Sequence, residues 1–177
     1  SLDLAIPGTP PSPIGAAYTP EEVFVVHDEV LLFSRTLKSI FRWNRQTREF
    51  GTTIVLSGFP EHVTYSSVNQ KLYLSYTSGA IHQIDLTAAN PVETPFVTLP
   101  SKPIVLVSAG EFVLTGEFQD NSKVLTTFSS AGGILSSAYP FDFPIQPVWN
   151  QQQSAFYFLR ASSPTDLMKL EINADGT

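Results

Sequence analysis

Four times along this chain a short apolar run, a polar turn and a second apolar run recur at a spacing of about 42 residues. NQKLYLSYTSGAIHQIDL, residues 69–86, is the clearest copy: two alternating runs joined by Thr-Ser-Gly. Alternation of this kind, closed by turn residues, specifies a β-hairpin. The second runs of the hairpins are SIFRWN (39–44), AIHQID (80–85), KVLTTFS (123–129) and DLMKLE (166–171). Their leading aliphatics, Ile40, Ile81, Val124 and Leu167, lie 41, 43 and 43 residues apart. Three residues on comes another apolar side chain, Trp43, Ile84 or Leu170, then a polar one, Asn44, Asp85 or Glu171. The third copy slips by one, to Phe128 and Ser129, which a β-bulge explains.

The first runs match as well: EVLLFSR (29–35), KLYLSYT (71–77), EFVLTGE (111–117) and SAFYFLR (154–160). Each has a further short run before it (VFVVHD, VTYSSVNQ, IVLVSAG, PVWNQQ), and three copies end in another: TTIVL (52–56), PFVTL (95–99) and GILSSA (133–138). The competing reading is a β-sandwich whose strands are spaced this way by chance. Helix signals are nearly absent, and 14 prolines and 10 glycines punctuate the whole length.

A four-stranded unit of about 42 residues resembles a β-propeller blade, an up-and-down meander with its first strand inner and its fourth outer. The resemblance covers nearly the whole chain and rests on period and pattern. There is no Trp-Asp dipeptide of the WD40 type, no regular kelch double glycine (Gly132-Gly133 occurs once) and no Asp-box. It implies an all-β fold, a single propeller domain over residues 1–177, with blades at about 21–59, 60–101, 102–143 and 144–177. The fourth copy ends at EINADGT, and the alternating run SLDLAI offers residues 2–6 as a closing outer strand. A self-contained four-blade unit is the favoured expectation; part of a larger propeller and a ring-completing homodimer are the alternatives.

Composition narrows the function classes. Charged residues are only 15% of the chain, so its surface must rely on Ser, Thr, Asn and Gln, which suits an exported β protein. The net charge of −6 argues against nucleic-acid or anionic-membrane partners. With no cysteine, disulfides, thiolate metal sites and cysteine nucleophiles are excluded. No run of 18 apolar residues is present to span a bilayer as a helix. SLDLAIPG lacks the basic and apolar regions of a signal peptide, as the start of a mature or excised chain would. The chain is expected to be a domain of a larger exported protein (periplasmic, cell-surface or secreted).

In a propeller the outer-to-inner connections and the second-to-third-strand turns share one face, and loops on a rigid scaffold are where function concentrates. That face is expected to collect SGFPEH, PSKP, YPFDFP, RTLK, YTSG, EFQDNSK and RASSPTD. Its binding candidates are Glu61, His62, Tyr76, Lys102, Asp120, Tyr139, Asp142 and Arg160. Glu61-His62 offers a carboxylate beside an imidazole, the ingredients of acid–base work, or else a plain solvated pair. Glu117, Asp120 and Asn121 supply oxygen ligands for calcium without the full calcium-loop pattern, so an Asn/Asp turn is the default. Arg35, Arg42, Arg45 and Arg48 suit an anionic ligand, but pairing with Glu29 or Glu49 is the simpler use. Tyr139, Phe141 and Phe143 around Asp142 make an aromatic patch or part of the core. His27 and His82 have no partner at ligand spacing, and His82 is expected to project into solvent.

The expectation is a non-enzymatic protein- or glycan-binding or scaffold module, with no catalytic residues, no metal and no cofactor. The alternative is a propeller hydrolase or lyase of the lactonase type, with a metal in the central channel. It needs inward-facing carboxylates that the strands VFVVHD, VTYSSV, IVLVSAG and IQPVW scarcely offer.

Overall fold

Four antiparallel sheets follow one another along the chain, each built from consecutive strands. The computed structural model describes residues 20–119, 122–138, 147–160 and 166–177. The first sheet holds β1 (Glu22–Val26), β2 (Glu29–Ser34) and β3 (Ser39–Asn44), with β4 (Glu49–Phe50) and β5 (Ile54–Val55) both paired to β3. The second runs β6 (His62–Ser66), β7 (Lys71–Ser75), β8 (Ala80–Asp85) and β9 (Glu93–Thr98). The third runs β10 (Pro103–Ala109), β11 (Phe112–Gln119), β12 (Ser122–Phe128) and β13 (Ile134–Ala138). In the fourth, β14 (Val148–Asn150) leads through a 3-10 turn (Gln151–Gln153) into β15 (Ala155–Arg160) and β16 (Asp166–Glu171). The architecture is all-β: no described residue is in an α-helix. The chain divides into two compact units at Phe59/Pro60, the first holding the first sheet and the second holding the other three.

Two departures from four strands per sheet have local causes. The first sheet's outer strand is split, because residues 51–53 interrupt its pairing with β3 between β4 and β5. The fourth sheet has three strands among the described residues, and the run proposed to complete it, residues 2–6, lies outside them. The slipped period of the third copy is a bulge, since the register of β12 against β13 shifts between Thr127 and Phe128. A second bulge, between Ile81 and His82, sits in the β8–β9 pairing.

Within the second unit the sheets pack face to face through two apolar layers. Tyr73, Ile81 and Leu99 of the second sheet and its exit loop meet Leu106, Val113 and Phe128 of the third. Val105, Val107, Leu114 and Leu125 of the third sheet meet Phe156, Phe158 and Ile172. The inner strands β6 and β10 are also stitched together by polar groups. The Ser108 hydroxyl donates to the Tyr65 carbonyl at 2.6 Å, and the Ser108 N–H donates to Thr64 Oγ1 at 3.1 Å. At the same edge Ser66 Oγ donates to the Gly110 carbonyl and Asn69 Nδ2 to the Glu111 carbonyl, at 2.8 and 2.9 Å. Partly buried polar groups between these adjacent sheets are thereby paired without a continuous ladder.

The first unit buries Leu31, Phe33, Ile40 and Ile54. Across β2 and β3, Glu29 takes the Arg42 guanidinium in a two-pronged pair at 2.8 and 2.9 Å, the strand-surface pairing expected for that arginine.

Candidate binding face

The turns and connections at one end of the second unit are tied into a single surface. Gly79, in the β7–β8 turn, accepts from Leu99 N–H at 2.9 Å, which fixes the β9–β10 connection against that turn. Gly79 has φ +89°, and a Cβ there would lie 2.4 Å from the Leu99 carbonyl oxygen. Only glycine serves both the left-handed turn and this approach. Further along the same connection, Lys102 Nζ lies 3.0 Å from Glu61 Oε2, at the entrance to β6.

Ser101 joins the connection to the β11–β12 hairpin. Its N–H donates to Glu117 Oε2 at 2.9 Å, and its hydroxyl donates to the Phe118 carbonyl at 2.6 Å. Gln119 Nε2 donates to the other Glu117 oxygen at 2.7 Å. Glu117 is 2% exposed, so its carboxylate is spent holding the loop. The next residue, Phe118, points the other way along the strand and is 48% exposed, with Lys123 Nζ 5.6 Å from its ring centroid. The result is an exposed aromatic on a backbone held from below, beside Lys123, with the Glu61–Lys102 pair on the connection that Ser101 belongs to.

The residues nominated from sequence are placed as follows. Glu61 and Lys102 meet as an ion pair on this surface, both partly exposed. His62 opens β6 opposite Ser75 and is half-buried. Tyr76 is buried, and its hydroxyl donates to Glu93 Oε1 at 2.6 Å, so it supports the turn from beneath. Arg160 ends β15 opposite Asp166. Asp120, Tyr139 and Asp142 lie outside the described residues, as do Asn121, Phe141 and Phe143. The calcium reading therefore keeps only Glu117, already occupied by Ser101 and Gln119. Among the described residues no group of three or more His, Asp or Glu side chains is placed to hold a metal ion.

One expectation is corrected. His82 does not project into solvent: its side chain is 22% exposed, and Nδ1–H donates to Glu93 Oε1 at 2.5 Å, on the oxygen Tyr76 also uses. Glu93 pairs with Ile84 across β8–β9, which makes His82 its diagonal neighbour, within reach of a long side chain. A sequence scan for ligand spacing along one strand misses a partner on the next. Phe118 carries no sequence signal of its own, since EFQDNSK reads as a polar turn and nothing in it marks which face its one aromatic takes.

The solved structures that match this chain bear on the fold. It superposes on a hydrazine synthase from Kuenenia stuttgartiensis with a TM-score of 0.67, at 10% identity over 89% of this chain and 47% of that one. It matches a functionally unknown protein from Desulfotomaculum acetoxidans with a TM-score of 0.65, at 14% identity over 85% and 49%. It matches the β-propeller domain of Swd1 from Myceliophteria thermophila with a TM-score of 0.63, at 13% identity over 86% and 53%. The fold is a β-propeller fold, and the chain spans about half the length of the structures it matches. No family model and no curated protein matches the sequence.

Proposed function

We propose that this chain is a non-enzymatic binding or scaffold module, a domain of a larger exported protein, that recognises a protein or glycan through the face around Phe118. The observation that supports this reading is a half-exposed aromatic on a backbone pinned by Ser101, with Lys123 beside its ring and the Glu61–Lys102 pair on the same connection as Ser101. Pre-ordered aromatics with charges at the rim are the residues that dominate protein interfaces. A protein ligand is favoured, because Phe118 stands with charged side chains around it. The overall charge of −6 favours a partner that is basic or neutral.

The test compares the wild-type chain with Phe118→Ala and Lys102→Glu on a displayed peptide library and a glycan array. Expected are ligands retained by wild type and weakened at least about tenfold by either substitution. Ligands bound equally well by all three proteins would move recognition off this face.

A further inference from the structure

The second unit carries a cavity at the opposite end of its strands from Phe118. About 480 Å³ in volume, it opens among the β10–β11 turn, the 3-10 turn before β15 and the segment after β16. That volume falls within the range of small-molecule pockets. Its apolar lining includes Phe112, Trp149 and Ile172, and its polar lining includes Glu111, Gln151 and Asn173.

We infer that this pocket binds a neutral sugar ring. The argument starts from the walls. Trp149 packs on Phe156 with ring centroids 4.8 Å apart, and Ile172 belongs to the same apolar layer, so the aromatic wall is anchored in the core. A rigid indole offers an apolar surface for the C–H face of a pyranose. Two carboxamides and a carboxylate line the same space, and such groups donate to and accept from hydroxyls. Glu111 is the only ionisable side chain among the lining residues, and no cation is present to meet an anionic ligand. A ligand with many hydroxyls and no negative charge uses both kinds of wall.

The walls are also held in place before any ligand arrives. The Glu111 carbonyl is bound by Asn69 Nδ2, and the Gly110 carbonyl by Ser66 Oγ. Asn150 Oδ1 caps the 3-10 turn by accepting from Gln153 N–H at 3.2 Å. The Asn173 N–H donates to the Thr177 carbonyl at 2.8 Å, which closes the third wall. A pocket ordered in advance loses less entropy on binding. This site is separate from the Phe118 face, and neither reading depends on the other.

The chain has two tryptophans, so Trp43→Phe leaves Trp149 as the single indole reporter. The experiment titrates this variant with a panel of neutral mono- and disaccharides to about 50 mM, past the millimolar affinities typical of weak ligands. A saturable change in Trp149 emission is expected with at least one sugar. Adding Ala174→Phe, at an exposed lining position, or Gln151→Ala should weaken it at least about tenfold, with circular dichroism unchanged. Adding Phe118→Ala should leave it intact. No saturable change with any sugar overturns the inference. So does a response to a protonated alkylamine without one to sugars, or a sugar response that Ala174→Phe leaves untouched.

Discussion

The polar residue that closes the third strand of the first two sheets has a specific job. Asn44 Oδ1 accepts from the N–H groups of Gln46 and Thr47, each at 2.9 Å. Asp85 accepts from Thr87 N–H at 2.8 Å and Thr87 Oγ1 at 2.6 Å. These are turns in which a short side chain stands in for a backbone acceptor, which is why Asn and Asp recur there. The Thr87 hydroxyl, and then its N–H, hold the Asp85 carboxyl below the usual carboxylate range. A depressed carboxylate pKa adds stability above the unfolded-state pKa, and that stability is lost as pH falls through the folded value. Thr87→Val should therefore raise the pKa of Asp85, followed by NMR, and move the start of acid unfolding to higher pH. An unchanged Asp85 titration would remove the turn from the explanation. A second residue-scale rule concerns left-handed backbone. His27, Gln70, Gly110 and Ser154 all have positive φ in the first turn of their sheets, yet only the third is glycine. A Cβ at Gly110 meets nothing within 4 Å, whereas one at Gly79 meets the Leu99 carbonyl at 2.4 Å. Gly110→Ala should cost about 1 kcal/mol, for backbone conformation alone, and Gly79→Ala about 3 kcal/mol. Denaturant titration of the two variants measures the difference, and equal costs would show that the close approach at Gly79 carries no weight.

At the scale of strands, the sequence made hairpins easy to find and their faces hard to assign. Leu72, Leu74, Ile81 and Ile84, the apolar positions of the opening hairpin, are all fully buried, although Ile81 and Ile84, three apart on β8, face opposite sides of the sheet. But Tyr73 and Ser75, on the other side of β7, are fully buried too. With both faces of β7 buried, a period of two records turns and pleat but does not say which side is wet. Leu167 errs the other way: it heads the fourth copy of the repeat and is 67% exposed. The candidate face was legible as a set of loops, through Glu61 and Lys102, but not as a set of contacts. Glu117 shows why. A glutamate in a polar hairpin reads as a surface residue, and only the arrival of Ser101 from another connection makes it a buried tie. Glu117→Ala should cost about 2 kcal/mol by leaving the Ser101 N–H and Gln119 amide without their acceptor. It should also weaken ligand binding at Phe118, whose carbonyl the same serine holds. Equilibrium denaturation and the binding assay report the two effects separately; a variant with wild-type stability would show that Glu117 is not a tie.

For the molecule as a whole, the open issue is how its propeller sheets are completed. Propellers range from about four to eight blades, and the solved structures matched here are about twice as long as this chain. In the first three sheets β3, β8 and β12 each carry an outer partner, whereas β16 ends its sheet as an edge among the described residues. An open edge invites pairing with another strand, from this chain or another. The alternating run at residues 2–6, which lies outside the described residues, is the sequence's candidate for such a strand. Deleting residues 1–7 should then lower Tm by at least about 2 °C, since a lost outer strand removes more than about 1 kcal/mol and each kcal/mol shifts Tm by about 2–4 °C in a chain of this size. Light scattering of the intact chain should give a mass near 19.4 kDa at all concentrations. A ring completed by two copies predicts twice that mass and a Tm that rises with protein concentration. An unchanged Tm in the deletion variant would leave β16 to a partner outside residues 1–7 and rule out closure by this run.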